Sequence, residues 1–469
     1  MKILKKYRLL FLLLLLPFLW KCATYYRRTL QFQEYVQSGN FDKADLWLEN
    51  DSKDKEGKNK LLYLFNRGYV NFILGQPQKS NLYFQQADQL IEDQMKNPVN
   101  EALALLSNPM IKPYKPEDFE AVMLHYFTAL NYISTSQLSD ALVECRRVNI
   151  KLNKLNDSYS NKKNRYQRDA FAHLLMGLVY EASRDYNNAF IAYRNAYEIY
   201  RDDYSKQFGV SAPQQLRNDL LRTAYICGFF DEVRYYEKEF NTQYQHVLTT
   251  EPQLVFFWMN GFGPVKHEWS INFTVLPGQV GYVTFVNEEM GINLPFYIGD
   301  RPANERNGFS QLRFLRVAFP KYIERAPIYV SSTIDINGKT AQLQMAENIN
   351  DIAFKTLHDR MMRELGNSLL RLAAKKALET AASSQNANLG TAVSIANALT
   401  EKADTRNWQT LPYSISYIKQ PLREGENKIT FTATGRRGER KNHELIIHAL
   451  KGQIYFVPYH TIESFNPVQ

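Results

Sequence analysis

Eight histidines, three cysteines and the adjacent arginines Arg146-Arg147 are the residues considered first for the chemistry this 469-residue chain could do. A metal site needs ligands whose spacing makes them converge. His267-Glu268 has the start of a zinc-hydrolase pattern, but no second histidine follows at the spacing that would put two ring nitrogens on one helix face. His443 and His448 lie five apart in a strand-like stretch, and an odd separation sends them to opposite faces. His125 and His173 fall in amphipathic helical patterns, where a hydrogen-bonded structural histidine is the expected role. The chain has no Gly-x-Ser-x-Gly elbow, no Gly-x4-Gly-Lys phosphate loop and no Cys-x-x-Cys, and Gly261-Phe-Gly263-Pro264 is a lone glycine turn. Arg146-Arg147, after Glu144, are the polar clamp candidates. They would hold an anion or a partner, or bridge to a neighbouring element of the same chain. Cys145 and Cys227 sit inside helical patterns and read as buried thiols rather than a disulfide framework. No catalytic residue, metal site or cofactor is expected from these patterns.

The composition restricts the class further. A hydrophobic fraction of 45% and a charged fraction of 22% are those of a globular protein. The net charge of +9 is spread along the chain, and no nucleic-acid-binding motif accompanies it, so no nucleic-acid partner is expected. Aromatics make up 13%, with 30 tyrosines, as helices that pack through rings would use.

The elements that must position these residues show first in Gly177, Tyr180, Ala189, Tyr193 and Ala196. They stand where a 34-residue tetratricopeptide unit puts small residues at positions 8, 20 and 27 and aromatics at 11 and 24. The same grammar recurs in Gly68, Ser80, Phe84 and Ala87, and in Ala129, Tyr132, Ala141, Cys145 and Val148. Weaker copies run over Gly39–Leu48 and Leu216–Phe240. The units are spaced by more than 34 residues, which implies an irregular, decorated solenoid. In such a unit the first helix lines a concave groove. The candidates there are Phe65, Tyr69, Phe72, Tyr126, Leu130, Phe171 and Leu174. An apolar groove of this kind is a liability in water, so it is expected to be filled, either by a partner helix or peptide or by the chain's own insertions or C-terminal half.

After about residue 245 the period changes. Ser270–Val275 and Gly281–Val286 alternate about Pro277-Gly278, and Ile328–Ile336 leads through Asn337-Gly338 into Ala341–Met345. Further strands are predicted at Ser414–Ile418, Lys428–Ala433, Glu444–His448 and Ile454–Val457. Between them, Phe354 to Leu372 and the alanines that follow predict a helix, and Ala392–Lys402 a second, shorter one. The expected fold is α+β: a tetratricopeptide-like solenoid over 22–244, then a β-rich, sandwich-like domain over 245–469 with an Ala-rich helical hairpin at about 349–404. Glu401–Pro412 reads as the hinge from hairpin to sheet, held by pairs of the Asp404–Arg406 type around Trp408.

The N-terminus combines a basic segment, Met1–Arg8, with a 12-residue apolar run, Leu9–Trp20, followed by Cys22. This resembles a bacterial lipoprotein signal over 1–21 with Cys22 as the lipidated residue, although Lys21 stands where a small residue is usual. With Cys22–Tyr26, Ala141–Leu152, Asp169–Tyr200 and Glu401–Pro412 in view, the chain resembles an uncharacterised family of bacterial tetratricopeptide-repeat envelope lipoproteins. The resemblance implies an anchored periplasmic protein without an assigned activity. Ala23 rather than Asp after Cys22 points to the outer membrane, facing the periplasm, and the repeats predict a non-catalytic adaptor held there by its N-terminal lipid. Its partners would be envelope proteins, for example those of peptidoglycan synthesis or outer-membrane assembly. The alternative is an enzyme or glycan-binding module in the β domain, scaffolded by the repeats.

Overall fold

The computed structural model describes residues 25–96, 112–157, 165–247, 250–277, 281–289, 291–300, 313–361 and 403–467, with isolated positions between them. Cys22 and the second helix of the expected hairpin lie outside the described residues.

Five antiparallel helix pairs build the N-terminal half. They are α1 (Leu30–Gln37) with α2 (Phe41–Asn50), α3 (Lys60–Ile73) with α4 (Pro77–Lys96), α5 (Asp118–Ser134) with α6 (Leu138–Asp157), α7 (Ala170–Ala182) with α8 (Tyr186–Ile199), and α9 (Gln214–Ile226) with α10 (Phe230–Phe240). All five turn by one device. Gly39, Gly75, Ser136, Arg184 and Gly228 adopt φ between 60° and 75°. Each returns its amide to the carbonyl three residues back, and the next residue returns its own to the carbonyl five back. That is the Schellman arrangement, which satisfies the last carbonyls of the first helix. Two of the repeat glycines are required by contact rather than by φ. A Cβ on Gly68 would stand 2.5 Å from the Phe84 ring, and one on Gly177 would stand 2.3 Å from Tyr193. The small residue of the first helix is therefore the seat for the aromatic ring of the second.

The C-terminal half forms three four-stranded sheets. Sheet I has the order β12 (Ile454–Thr461), β1 (Gln253–Asn260), β9 (Ser414–Pro421), β8 (Gln344–Glu347); β1 runs parallel to β12 and antiparallel to β9. Sheet II has the order β11 (Arg440–Ala449), β10 (Gly425–Gly435), β6 (Tyr329–Ile336), β7 (Lys339–Gln342). Sheet III has the order β4 (Ile292–Tyr297), β3 (Tyr282–Asn287), β2 (Val265–Pro277), β5 (Phe314–Ile323).

Sheets I and II form a sandwich. Leu254, Phe256 and Trp258 of β1 pack on Ile334, Ile429, Phe431 and Ala433, with Phe256 and Phe431 stacked at 5.1 Å. The opposite face of β1, with Val255, Phe257 and Met259, belongs to the same core as the solenoid helices. A strand buried on both faces carries no period-2 signal, which is why β1 reads as a plain apolar run in the sequence. Strands β4 and β5 contain Pro295 and Pro320, which argue against a strand, yet both are edge strands where a missing amide costs no ladder bond. Sheet III has its own core of Ile271, Phe273, Phe285 and Val317. It is capped by the helix over 349–361, here α11, through Met361, and by Leu365 and Leu369 beyond it.

Candidate functional site

The seam where the solenoid groove meets the C-terminal half is where the groove candidates gather. Phe65, Tyr69, Tyr126, Leu130, Phe171 and Leu174 are all buried, none more than 4% exposed, and Phe72 is half-buried against the same core. The groove is filled by this chain. Trp408 stacks on Phe65 at 4.4 Å and meets Tyr69, Phe84 and Phe127 at 5.9–6.4 Å, so one indole occupies the seam of the second and third units. Phe171 meets Phe257 of β1 at 5.9 Å, edge to face. The Tyr69 hydroxyl bonds His460 Nδ1 at 2.8 Å while His460 Nε2 donates to the Gly261 carbonyl at 2.7 Å. Of the two occupants expected for the groove, the partner peptide is therefore replaced by the C-terminal half. These seven residues are an internal core and not an open binding surface.

The strap 403–412 does most of the filling. Four of its hydrogen bonds run to the solenoid: the Trp408 amide donates to Glu120 at 2.6 Å, Thr410 to Asn66 at 3.0 Å, and Arg406 to Asn59 at 3.1 Å and the Lys112 carbonyl at 3.0 Å. The Asp404–Arg406 pair is present at 2.6 Å, but the segment is the occupant of the groove and more than a hinge. Composition alone could not show this, because a tryptophan between polar residues is equally at home in a loop.

Charged pairs lock the two halves around this apolar centre. Lys419 of β9 reaches Glu181 at 2.5 Å and Asp219 at 3.0 Å, and Arg222 reaches the same two carboxylates at 2.6 and 2.8 Å. Burial alone would raise the Glu181 carboxyl; the Lys419 and Arg222 charges outweigh it and hold it down at about 2. Lys266 and Arg360 likewise meet Glu117, the cap of α5. Glu347 from β8 sits deeper, beside Asp169, with the Tyr204 hydroxyl at 3.3 Å. Burial, and then the Asp169 charge, push its carboxyl well above the ordinary carboxylate range. Arg325 is fully buried, donating to the carbonyls of Gly263 and Gln409 over the face of Phe262.

Neither arginine of the clamp pair projects into the groove. Arg146 donates to the Tyr180 hydroxyl on the next unit, and Arg147 pairs with Glu144 at 3.2 Å and approaches Asp88 of α4 at 3.7 Å. Both bridge neighbouring units of the solenoid. His125 bonds Glu144 at 2.7 Å, His443 stacks on Tyr459 at 4.2 Å, and exposed His448 approaches Glu426 at 3.8 Å. Among the described residues no group of three or more metal-ligating side chains converges.

Among the described residues, concave regions open to solvent include a furrow and a cleft. The furrow lies between α4 and α6 on the outer side of the solenoid, in two stretches of about 260 and 360 Å³ that share Gln85 and Tyr132. Exposed Leu82 lies at one end, and Val143 and Ile150 stand one helical heptad apart on α6. The cleft, of about 580 Å³, lies at the seam, between α9 and the ends of β1, β9 and β12. The clamp candidate Arg147, with Glu144, lines the second stretch of the furrow. No sequence signal marked the cleft, because it is assembled from segments distant in the chain.

No family model matches the chain, and no curated protein matches it. Among solved structures, it is similar to the apo form of RapI, at 16% identity over 46% of this chain and 68% of that one, with a TM-score of 0.33. It is similar to MamA at 16% identity over 44% and 90%, with a TM-score of 0.27, and to BtubC from P. vanneervenii at 12% over 46% and 80%, with a TM-score of 0.29. These scores fall short of a shared global fold. The tetratricopeptide-like character of the helical half stands on its own turns and ring seats.

Proposed function

We propose that this chain is a non-catalytic scaffold of the bacterial cell envelope, held to the membrane through lipidated Cys22, which presents protein-binding surfaces on the outside of its solenoid. The observation that carries the reading is the self-filled groove: the repeats frame the C-terminal half, and the apolar side chains left exposed beside a furrow lie on α4 and α6. Anchoring would hold the body close to the bilayer. Tyr25 is buried and its amide bonds Thr405, and the three residues from Cys22 to Tyr25 span at most about 11 Å. Partners of envelope assembly, such as peptidoglycan-synthesis or outer-membrane assembly proteins, would approach the outer furrow. Their binding would then leave the seam intact.

In-cell crosslinking of the tagged full chain tests this, beside Leu82→Glu/Val143→Glu and beside Cys22→Ser. Capture of envelope proteins that is lost with the furrow variant supports the scaffold, given an unchanged circular dichroism spectrum. Capture that the furrow variant leaves unaltered, or a Cys22→Ser chain that stays in the membrane fraction, refutes the corresponding half of the proposal.

A further inference from the structure

The cleft at the seam goes beyond the scaffold reading and does not depend on it. Its wall carries six carboxamides: Gln215 and Asn218 from α9, Gln245 from the connection that follows α10, Gln253 at the start of β1, Gln420 on β9 and Gln453 in the turn before β12. They come from five segments and line one cavity, so they do not form a row along one helix. Each carboxamide offers both a donor and an acceptor. Among the described residues the side chains of Gln215, Gln245 and Gln420 make no hydrogen bond to protein, so they are free to meet a ligand.

The charges in the cleft cancel. Glu181, Asp219 and Glu251 stand against Arg184, Arg222 and Lys419, and four of these six are paired with one another at the floor. The cleft therefore has no net formal charge to draw in an ionic ligand, and stripping the water from such a ligand is costly. What remains for recognition is neutral hydrogen bonding and ring surface. Asp219 is one of the lining residues, and its Oδ2 is buried with no hydrogen-bond partner among the described residues. Tyr244, whose hydroxyl is set by His246 at 3.1 Å, and Tyr186 supply the rings. Hydroxyl groups donate and accept as carboxamides do, and the C–H faces of a sugar ring pack on aromatic rings. A volume of about 580 Å³ lies inside the range of small-ligand sites, about 300–1,000 Å³.

We infer that this cleft binds a short neutral oligosaccharide segment, clasped between solenoid and sheet I. An extended peptide is the less suitable occupant, since the six carboxamides come from five separate segments and do not recur along one strand or helix.

The test uses the full chain in detergent micelles. It is offered an array of neutral oligosaccharides of two to four hexose or N-acetylhexosamine units, beside uronate-bearing ones and a set of unstructured peptides. Hits are titrated calorimetrically against wild type and Gln215→Ala/Gln420→Ala, with Gln420→Ala alone should the double variant lose its circular dichroism spectrum. The expected result is retention of at least one neutral oligosaccharide and at least a tenfold loss of affinity in the variant. Retention of no neutral oligosaccharide, retention unchanged by the substitutions, or binding at these residues by uronate-bearing glycans or peptides alone would overturn the inference.

Discussion

At the residue scale, the solenoid depends on side chains that are absent. Gly177 is the seat of the Tyr193 ring, and that ring's hydroxyl donates to Glu181, one of the carboxylates that receive Lys419. A methyl group there must displace the ring, so Gly177→Ala is expected to destabilise by about 1–3 kcal/mol, read as a lowered urea midpoint. An unchanged midpoint would show that the ring has room to move. His460 is neutral where it sits, because burial holds its pKa at about 4 against an ordinary 6.5. A depressed histidine contributes fully above 6.5 and loses that contribution as pH falls from 6.5 to 4, a total of roughly 3 kcal/mol. His460→Gln should remove this component, so the wild-type and variant stabilities should converge over that window. Parallel curves would sink the assignment. Glu347 has the opposite sign. Its carboxyl is raised, so its contribution is greatest below the ordinary value of 4.5 and is lost as pH rises through the folded-state pKa. Glu347→Gln should therefore raise Tm at pH 8 more than at pH 5. A larger gain at pH 5 would contradict the burial argument.

At the scale of elements, the strap 403–412 and strand β1 carry the docking. Trp408 is 1% exposed and touches rings from three solenoid helices, so Trp408→Ala leaves a cavity at the centre of the seam. A loss of about 3–5 kcal/mol is expected. Limited proteolysis gives the check: the variant should be cut within the strap, and a digestion pattern identical to wild type would deny the strap its role. Much of this level was legible beforehand. The five helix pairs followed from small and aromatic residues recurring at fixed offsets, and the hairpin at Asn337-Gly338 from its turn residues, with Asn337 at φ 53° and Gly338 at 88°. Strand β1 was not legible, because burial on both faces erases alternation. Strands β4 and β5 were hidden by prolines that only edge positions excuse.

At the scale of the whole molecule, the two halves are one folding unit in their largest core. Val255, Phe257, Ile415 and Tyr417 of sheet I lie in the same cluster as Phe65, Tyr126 and Phe171. Expressed alone, residues 25–244 would expose that groove to water, a patch of the size that drives association. The isolated solenoid is expected to aggregate or to run as an oligomer in size-exclusion chromatography, and co-expression of residues 245–469 is expected to restore a monodisperse complex. A monomeric, cooperatively melting solenoid on its own would show that the groove can stand open and would return it to the list of binding surfaces.

The sequence by itself determined the fold class, the repeat turns and which side chains line the concave face, because these depend on offsets of a few residues along one chain. What fills the groove was decided only by the tertiary structure. Trp408 stands 343 residues from the Phe65 ring it covers, and no local pattern records a contact of that separation. The same holds for the carboxamide cleft, whose six side chains come from five segments and converge only when sheet I docks on the solenoid.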